Sequence, residues 1–406
     1  MQQCAIAKKG LARATPEEVG LSSQRLERIN KVMQGYVDEN KVAGIVTMVA
    51  RRGKVAHFEC FGVMDIETKK PMQADTIFRI YSMSKPVTSV AVMMLYEEGH
   101  FQLNDPVSKF IPEFKDVKVF VRKTDSGVEV CEPKREITIY NLLTHTSGLA
   151  YGLSKETVVD EMYEEAEIFG WEQTLKEMIG KLVKLPLANQ PGSKWKYSIS
   201  VDVLGYLVEV ISGMRFDEFL EERIFEPLEM KDSGFYVPDE KMGRAAALYK
   251  EAKSGGLEPG DTDKWGRFTK STRFFSGGGG LVSTAPDYMR FCQMLLNGGE
   301  LDGVRLLSRK SVELMTTNNL PDELLPYGGG DLNGYGFGLG FAVIMDASQT
   351  GILGTAGQYS WGGAASTGFW VDPEEELIGI FMTQFMPYTG RFTQELKVLT
   401  YQAIVD

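Results

Sequence analysis

Histidine is scarce in this chain: among 406 residues there are three, His57, His100 and His145. A hydrolase built on a serine–histidine–aspartate triad needs one of them in a catalytic position. His57 stands in a β-rich run, and His100 follows Gly99, where helix termination accounts for it. His145 lies in a hydroxyl-rich turn and reads as a structural hydrogen-bonding residue at a helix end. The G-x-S-x-G elbow and the H-E-x-x-H zinc motif are both absent. With no clustered histidine and aspartate set either, no metal and no cofactor is expected. The cysteines, Cys4, Cys60, Cys131 and Cys292, contain no C-x-x-C pair, which argues against a disulfide framework or a zinc site and predicts reduced thiols.

Positive charge is in deficit too. Lysine and arginine total 44 against 55 aspartates and glutamates, for a net charge of -11. That balance speaks against a nucleic-acid partner and leaves no polybasic patch for a membrane surface. No apolar run reaches the roughly 18 residues of a membrane span, and none of signal-peptide length follows Met1, so the expected location is the cytoplasm. What remains is an ordinary globular composition, 43% hydrophobic and 24% charged, in a chain long enough to bury a substantial core.

Residues 16–38 carry Leu26, Ile29, Val32, Met33 and Tyr36 at helical spacing. Two β-rich runs, 44–50 and 55–61, flank a short turn containing Gly53 and predict a hairpin. Residues 140–187 read as mostly helical, and a further helix over 201–211 ends at Gly213. The glycine run 277–280 lacks the G-K-[ST] of a phosphate loop. It precedes Ser283-Thr284-Ala285-Pro286, a cap-and-proline start for a helix over 287–296, so a backbone bend beside the cleft is predicted. Strands are expected at 336–345, 360–370 and 377–382, then a last helix over 391–404. Strand-rich ends around a helix-rich middle imply an α+β fold: an antiparallel sheet flanked by helices, built from 1–80 and 330–406. A mainly helical lobe, 81–329, is inserted, with the active site at the junction.

Ser82 and Lys85 stand three residues apart at the mouth of a predicted helix with an apolar run, 87–95, behind it. Residues at that spacing share a helix face, so the amine can reach the hydroxyl. The helix N-terminus adds unpaired N–H groups and a positive dipole end where an oxyanion would form. The competing reading of Ser82 is an ordinary capping serine. A second S-x-x-K match, Ser193 to Lys196, has no apolar helical run behind it and is taken as accidental. If no histidine is the base, lysine or tyrosine must be. Burial favours the neutral amine of a lysine, and a tyrosine beside a lysine cation has its phenolate favoured. Tyr197 follows the Pro191-Gly192 turn and precedes a helix, a rigid corner; its competing reading is a core aromatic with a bonded hydroxyl.

Ser82-Met83-Ser84-Lys85, Tyr197-Ser198 and Trp361-Gly362-Gly363 occur in the order and separation of the three active-site elements of serine β-lactamases and penicillin-binding proteins. Across about residues 15–400 the chain most resembles the class C β-lactamase-like esterases, or family VIII carboxylesterases. His145 to Leu149, Asp202 to Gly205, Gly277 to Leu281 and Phe369 to Pro373 support the likeness. The resemblance implies Ser82 as acyl-accepting nucleophile, with Lys85 and Tyr197 sharing proton transfer. It implies an oxyanion hole from the backbone N–H groups of Ser82 and Ala364. Trp361, Gly362 and Gly363 would border the substrate, with Tyr81 and Tyr359 as neighbours in the cleft. Two departures matter: Ile199 stands where class C enzymes carry asparagine, and Trp361 where they carry lysine. Both remove polar groups that would hold a β-lactam. The implied activity is hydrolysis of short or medium acyl esters, a small-molecule partner, with at most weak β-lactam hydrolysis. Acyl transfer to an alcohol, D-amino-acid peptide hydrolysis and an inactive filament-forming or scaffolding role are the alternatives on the same fold.

Overall fold

Residues near both ends of the chain meet in one sheet. The N-terminal part supplies β1 (Gly44–Arg51), β2 (Lys54–Asp65) and β3 (Lys70–Pro71). The C-terminal part supplies β4 (Tyr335–Phe337), β5 (Ala342–Ile344), β6 (Tyr359–Gly363), β7 (Thr367–Asp372) and β8 (Leu377–Met382). The eight strands run in the order β4-β5-β6-β7-β8-β1-β2-β3, each pairing antiparallel. The computed structural model describes residues 11–125, 127–152, 157–260, 268, 272–328 and 332–406.

Strand alternation explains how one sheet serves two cores. Val46, Met48 and Ala50 of β1 join the larger core, while Ile45 and Val49 face the smaller one. The smaller core is closed by α1 (Ser23–Asp38) and by the C-terminal helix Arg391–Tyr401. Ser22 caps α1 by accepting from the Arg25 N–H, and the helix buries Leu26, Ile29, Met33 and Tyr36. Full burial of such a side chain stabilises by about 1.5–3 kcal/mol. In the same layer Trp370 lies opposite Gly379, where any Cβ would stand 2.1 Å from the indole. Only glycine fits there.

The larger core takes in α2 (Ser84–Glu97), α3 (Ser200–Ser212) and α4 (Ala285–Leu296); α4 packs on β1, β7 and β8, and α3 packs on α2. Every α2 residue from Ser84 to Leu95 is buried, so this helix runs through the larger core rather than over its surface. Thr284 caps α4 by accepting from the Asp287 N–H, and Pro286 sits in the first turn, where its missing donor costs nothing.

Several boundaries differ from those read off the sequence. Residues 16–38 split into a 3-10 turn, Pro16–Val19, and α1, because Gly20 takes φ 73° and ends the first turn. The expected strands 336–345 and 360–370 are each a hairpin. Gly340 at φ 98° and Ser366 at φ 63° supply the left-handed residues that reverse the chain. The last helix stops at Tyr401. The thiols also depart from expectation: Cys60 is disulfide-bonded, whereas Cys131 and Cys292 are free.

His57, on β2, is buried with Nε2 2.7 Å from Thr47 Oγ1 on β1. Burial pushes its pKa from 6.5 down to about 4. The unfolded chain therefore binds the extra proton first as pH falls. The stability tied to neutral His57 is complete above pH 6.5 and is lost on the way to pH 4, an amount of about 3 kcal/mol. His57→Leu is expected to remove most of that acid dependence. Denaturant titrations near neutral pH and near pH 4 check it, and equal acid sensitivity in both proteins would contradict it.

Candidate active site

The strand Phe78–Arg79 pairs antiparallel with Val282–Ser283 and delivers the chain into a single 3-10 turn, Tyr81–Met83, from which α2 begins. Ser82 is the middle residue of that turn. Tyr81 holds φ 42°, an uncommon conformation for a bulky residue, kept in place by its surroundings. The Ile80 N–H donates to Leu281 O at 3.0 Å, the Met83 N–H to Ile80 O at 3.0 Å, and Tyr288 Oη to Met83 O at 2.9 Å. The Leu281 N–H donates to Ser84 Oγ at 3.1 Å, so the glycine run and α4 both brace the turn. The Ser82 side chain remains half-buried and borders the cleft.

Lys85, the second residue of α2, is 1% exposed. Its Nζ donates to Ser82 Oγ at 3.2 Å, to Tyr151 Oη at 3.3 Å and to Gly278 O at 2.6 Å. The ammonium also lies 4.5 Å from the Tyr197 ring centroid and 5.2 Å from that of Tyr151. Burial, the largest influence, pulls its pKa down. Tyr151, Tyr197 and Asp202 together outweigh burial and hold it well above the ordinary lysine value. This setting runs against the expected neutral amine, because the neighbours favour the charge that burial alone would remove.

Tyr197 enters from the segment preceding α3. The Lys196 N–H donates to His145 O at 2.9 Å and the Ile199 N–H to Ala150 O at 3.0 Å, so the residue is pinned on both sides. Its hydroxyl meets Ser82 Oγ at 2.7 Å. The ring is packed by His145, Tyr151 and Trp361, with centroids at 5.0, 5.1 and 5.6 Å. His145 is buried behind it, with Nδ1 3.1 Å from Ser198 Oγ. Burial, aided by Lys85, drives its pKa well below 6.5 and keeps it neutral.

Gly363, at the end of β6, passes so close to the serine turn that a Cβ would stand 2.3 Å from Ile80 O. Ala364 follows in the turn toward β7 and borders the cleft together with Gly362, Gly363 and Trp361. Trp361 packs on Tyr197 and, at 5.5 Å, on Phe337. Tyr81 also lines the cleft, its ring edge-on to Phe268 at 5.7 Å. Tyr359 does not. It is 1% exposed, packs edge-on against Phe341 and lies near Cys292 of α4. Trp361 and Tyr359 share a face of β6, but α4 covers the strand at Tyr359, so its expected place beside the substrate is corrected. The second S-x-x-K serine, Ser193, donates to Gln190 O in a loop at the cleft rim.

Tyr151 and Asp202 were not singled out for chemistry by sequence reasoning, although each lies in or just beyond a string that carries the family likeness. The cleft itself encloses about 1300 Å³, above the usual range for small-ligand sites. Phe169 and Trp171 form one apolar wall; Trp195, Leu324, Leu325 and Tyr327 supply further apolar lining. Among the described residues no group of histidine, cysteine, aspartate and glutamate could hold a metal ion, and no helix is long and apolar enough to cross a membrane.

A family model described as Beta-lactamase matches residues 29–401. Protein Rv1367c of Mycobacterium tuberculosis is 39% identical over 357 residues, covering 86% of this chain and 88% of that protein. Esterase EstB of Burkholderia gladioli is 31% identical over 394 residues, covering 92% and 94%. Among solved structures, EstCE1, described as a hydrolase with promiscuous acyltransferase activity, superposes with a TM-score of 0.80 at 28% identity, covering 93% of this chain and 99% of that one.

Proposed function

Since the chain belongs to the β-lactamase family of serine hydrolases, we propose that it is a carboxylesterase working through an acyl-Ser82 intermediate. The observation that carries this reading is the convergence on Ser82 Oγ of Tyr197 Oη at 2.7 Å and Lys85 Nζ at 3.2 Å. As Oγ attacks the ester carbon, its proton passes to the oxygen of Tyr197 acting in its phenolate form, the form that the buried Lys85 ammonium beside it favours. The Ser82 and Ala364 N–H groups serve the tetrahedral oxyanion, each donor contributing on the order of 3 kcal/mol. Tyr197 then protonates the departing alkoxide. Water, deprotonated by the same oxygen, releases the acid and restores Ser82.

The substrates are neutral esters with short or medium acyl groups, and the cleft admits a larger apolar alcohol portion than such acyl groups require. A β-lactam carries a carboxylate, which wants a charge-assisted donor. Trp361 presents an indole and an apolar wall instead. Similarity to an esterase and to a hydrolase with acyltransferase activity supports the reading. It also supports a second one, in which an alcohol lodged on the apolar wall replaces water and accepts the acyl group.

A panel of nitrophenyl esters beside a chromogenic cephalosporin and benzylpenicillin tests the proposal, with an added alcohol to detect transester. Short esters should turn over readily and penicillin poorly or not at all. Trp361→Lys should lower kcat/KM for apolar esters by about tenfold, the effect of losing roughly 1–2 kcal/mol of apolar contact. Faster hydrolysis of benzylpenicillin than of a short nitrophenyl ester would overturn the reading of Trp361. Transester as the main product would favour acyl transfer.

A further inference from the structure

A carboxyl group that no step above uses lies within electrostatic reach of Lys85. Asp202, in the first turn of α3, is 0% exposed. Its Oδ1 accepts from Ser276 Oγ and from the Gly278 N–H, the latter at 3.2 Å. Its Oδ2 is buried without a hydrogen-bond partner among the described residues. Gly278 packs so tightly on it that a Cβ would stand 2.5 Å from Oδ2. The carbonyl of that same glycine takes the Lys85 proton donor at 2.6 Å, the shortest contact the ammonium makes. A carboxylate confined here is costly to desolvate, and a neutral amide of equal shape would hold the loop at lower cost. A lone loop-shaping role therefore does not account for an acid at this position.

We propose that Asp202 is the positioning residue of the acyl-transfer site, an inference that rests on the Ser82 reading: it fixes Gly278 so that its carbonyl grips Lys85, and its negative charge is the permanent counter-ion of that ammonium. Lys85 then acts as a fixed cation, and Tyr197 alone carries the proton between Ser82, leaving group and water. The groups facing Lys85 are the hydroxyls of Ser82, Tyr151 and Tyr197, the neutral ring of His145, and Asp202. Among them Asp202 is the sole carboxylic acid. Burial pushes its own pKa above the ordinary carboxylate value, and Lys85, Ser276 and Gly278 pull it only part of the way back, as expected of a buried pair whose members depend on one another.

The test uses the full chain and starts with wild-type turnover of a nitrophenyl ester and phosphonate labelling of Ser82. Asp202→Asn keeps the shape and the acceptor for Ser276 and Gly278 but removes the charge. The expected result is a kcat lowered at least about tenfold with little change in KM, and an alkaline fall-off in the pH profile displaced to lower pH by about one pH unit. Ser276→Ala, which keeps the charge, should leave that fall-off in place whatever it does to the rate. A uniformly lowered rate with an unmoved profile in Asp202→Asn would make the residue structural and overturn the proposal, as would an unchanged rate. The wild-type protein decides the matter independently of variant folding. With lysine side chains labelled by carbon-13, the Lys85 resonance, assigned by its loss in Lys85→Met, should keep its ammonium position up to about pH 10, near the ordinary lysine pKa. A neutral-amine position at pH 8 would overturn the counter-ion role. Absence of ester turnover and of labelling in the wild type would instead sink the esterase reading, and the resonance would still report the charge on Lys85.

Discussion

Ser82→Ala is expected to abolish ester turnover and covalent labelling while leaving the fold intact. The turn that carries Ser82 is held by backbone bonds from Met83 to Ile80 and from Ile80 to Leu281, by Tyr288, and by Ser84. None of these uses the Ser82 hydroxyl, which meets only Tyr197 and Lys85 among its described contacts. Removing it deletes the atom that accepts the acyl group, and knocking out a nucleophile in a comparable unit lowers kcat by on the order of 10⁶-fold. Mass analysis after brief exposure to a slowly deacylating ester should place the adduct on the peptide containing Ser82. An adduct on another serine, Ser193 included, would refute the assignment. Differential scanning of the variant should show a transition close to the wild type, which separates lost chemistry from lost structure.

Tyr197→Phe is the second large effect. The ring stays packed among His145, Tyr151 and Trp361, so the substitution removes one oxygen and little else. The rate should fall at least about a hundredfold, the usual cost of losing a general acid–base group, with KM nearly unchanged. Lys85→Arg should fail as well. A larger, planar cation cannot occupy a site closed by the Gly278 carbonyl, the Tyr151 hydroxyl and the serine turn. Because the three side chains act as one unit, the double substitution should cost far less than the product of the single effects. Near-normal steady-state rates in Tyr197→Phe would return this residue to the role of a core aromatic.

The pH behaviour of the fold and that of the site have separate origins. His57 lies between β1 and β2 and governs acid stability through burial alone. Lys85 is governed by its neighbours. Measuring stability and turnover across the same pH series should therefore give curves that do not track one another on the acid side, where His57 loses its contribution.

What the sequence by itself determined is whatever depends on a few adjacent residues. Three-residue spacing puts Ser82 and Lys85 on one face of a helical turn, and an apolar run makes the following helix a core element. Thr284 and Pro286 announce the start of α4 for the same local reason, capping geometry. The glycine run before it reads as a bend because nothing bulkier tolerates such close backbone approach, as Gly278 against Asp202 illustrates. Only the tertiary structure decided what those residues face. Tyr359 and Trp361 have the same strand periodicity, and the packing of α4 over one but not the other sends the first into the core and leaves the second at the cleft. Tyr151, Gly278 and Asp202 come from segments far apart in sequence, yet together they set the charge on Lys85. Burial can be guessed from an apolar neighbourhood in the chain. The charge state of a buried lysine cannot, because it depends on which distant hydroxyls, carbonyls and carboxylates the fold brings within a few ångströms.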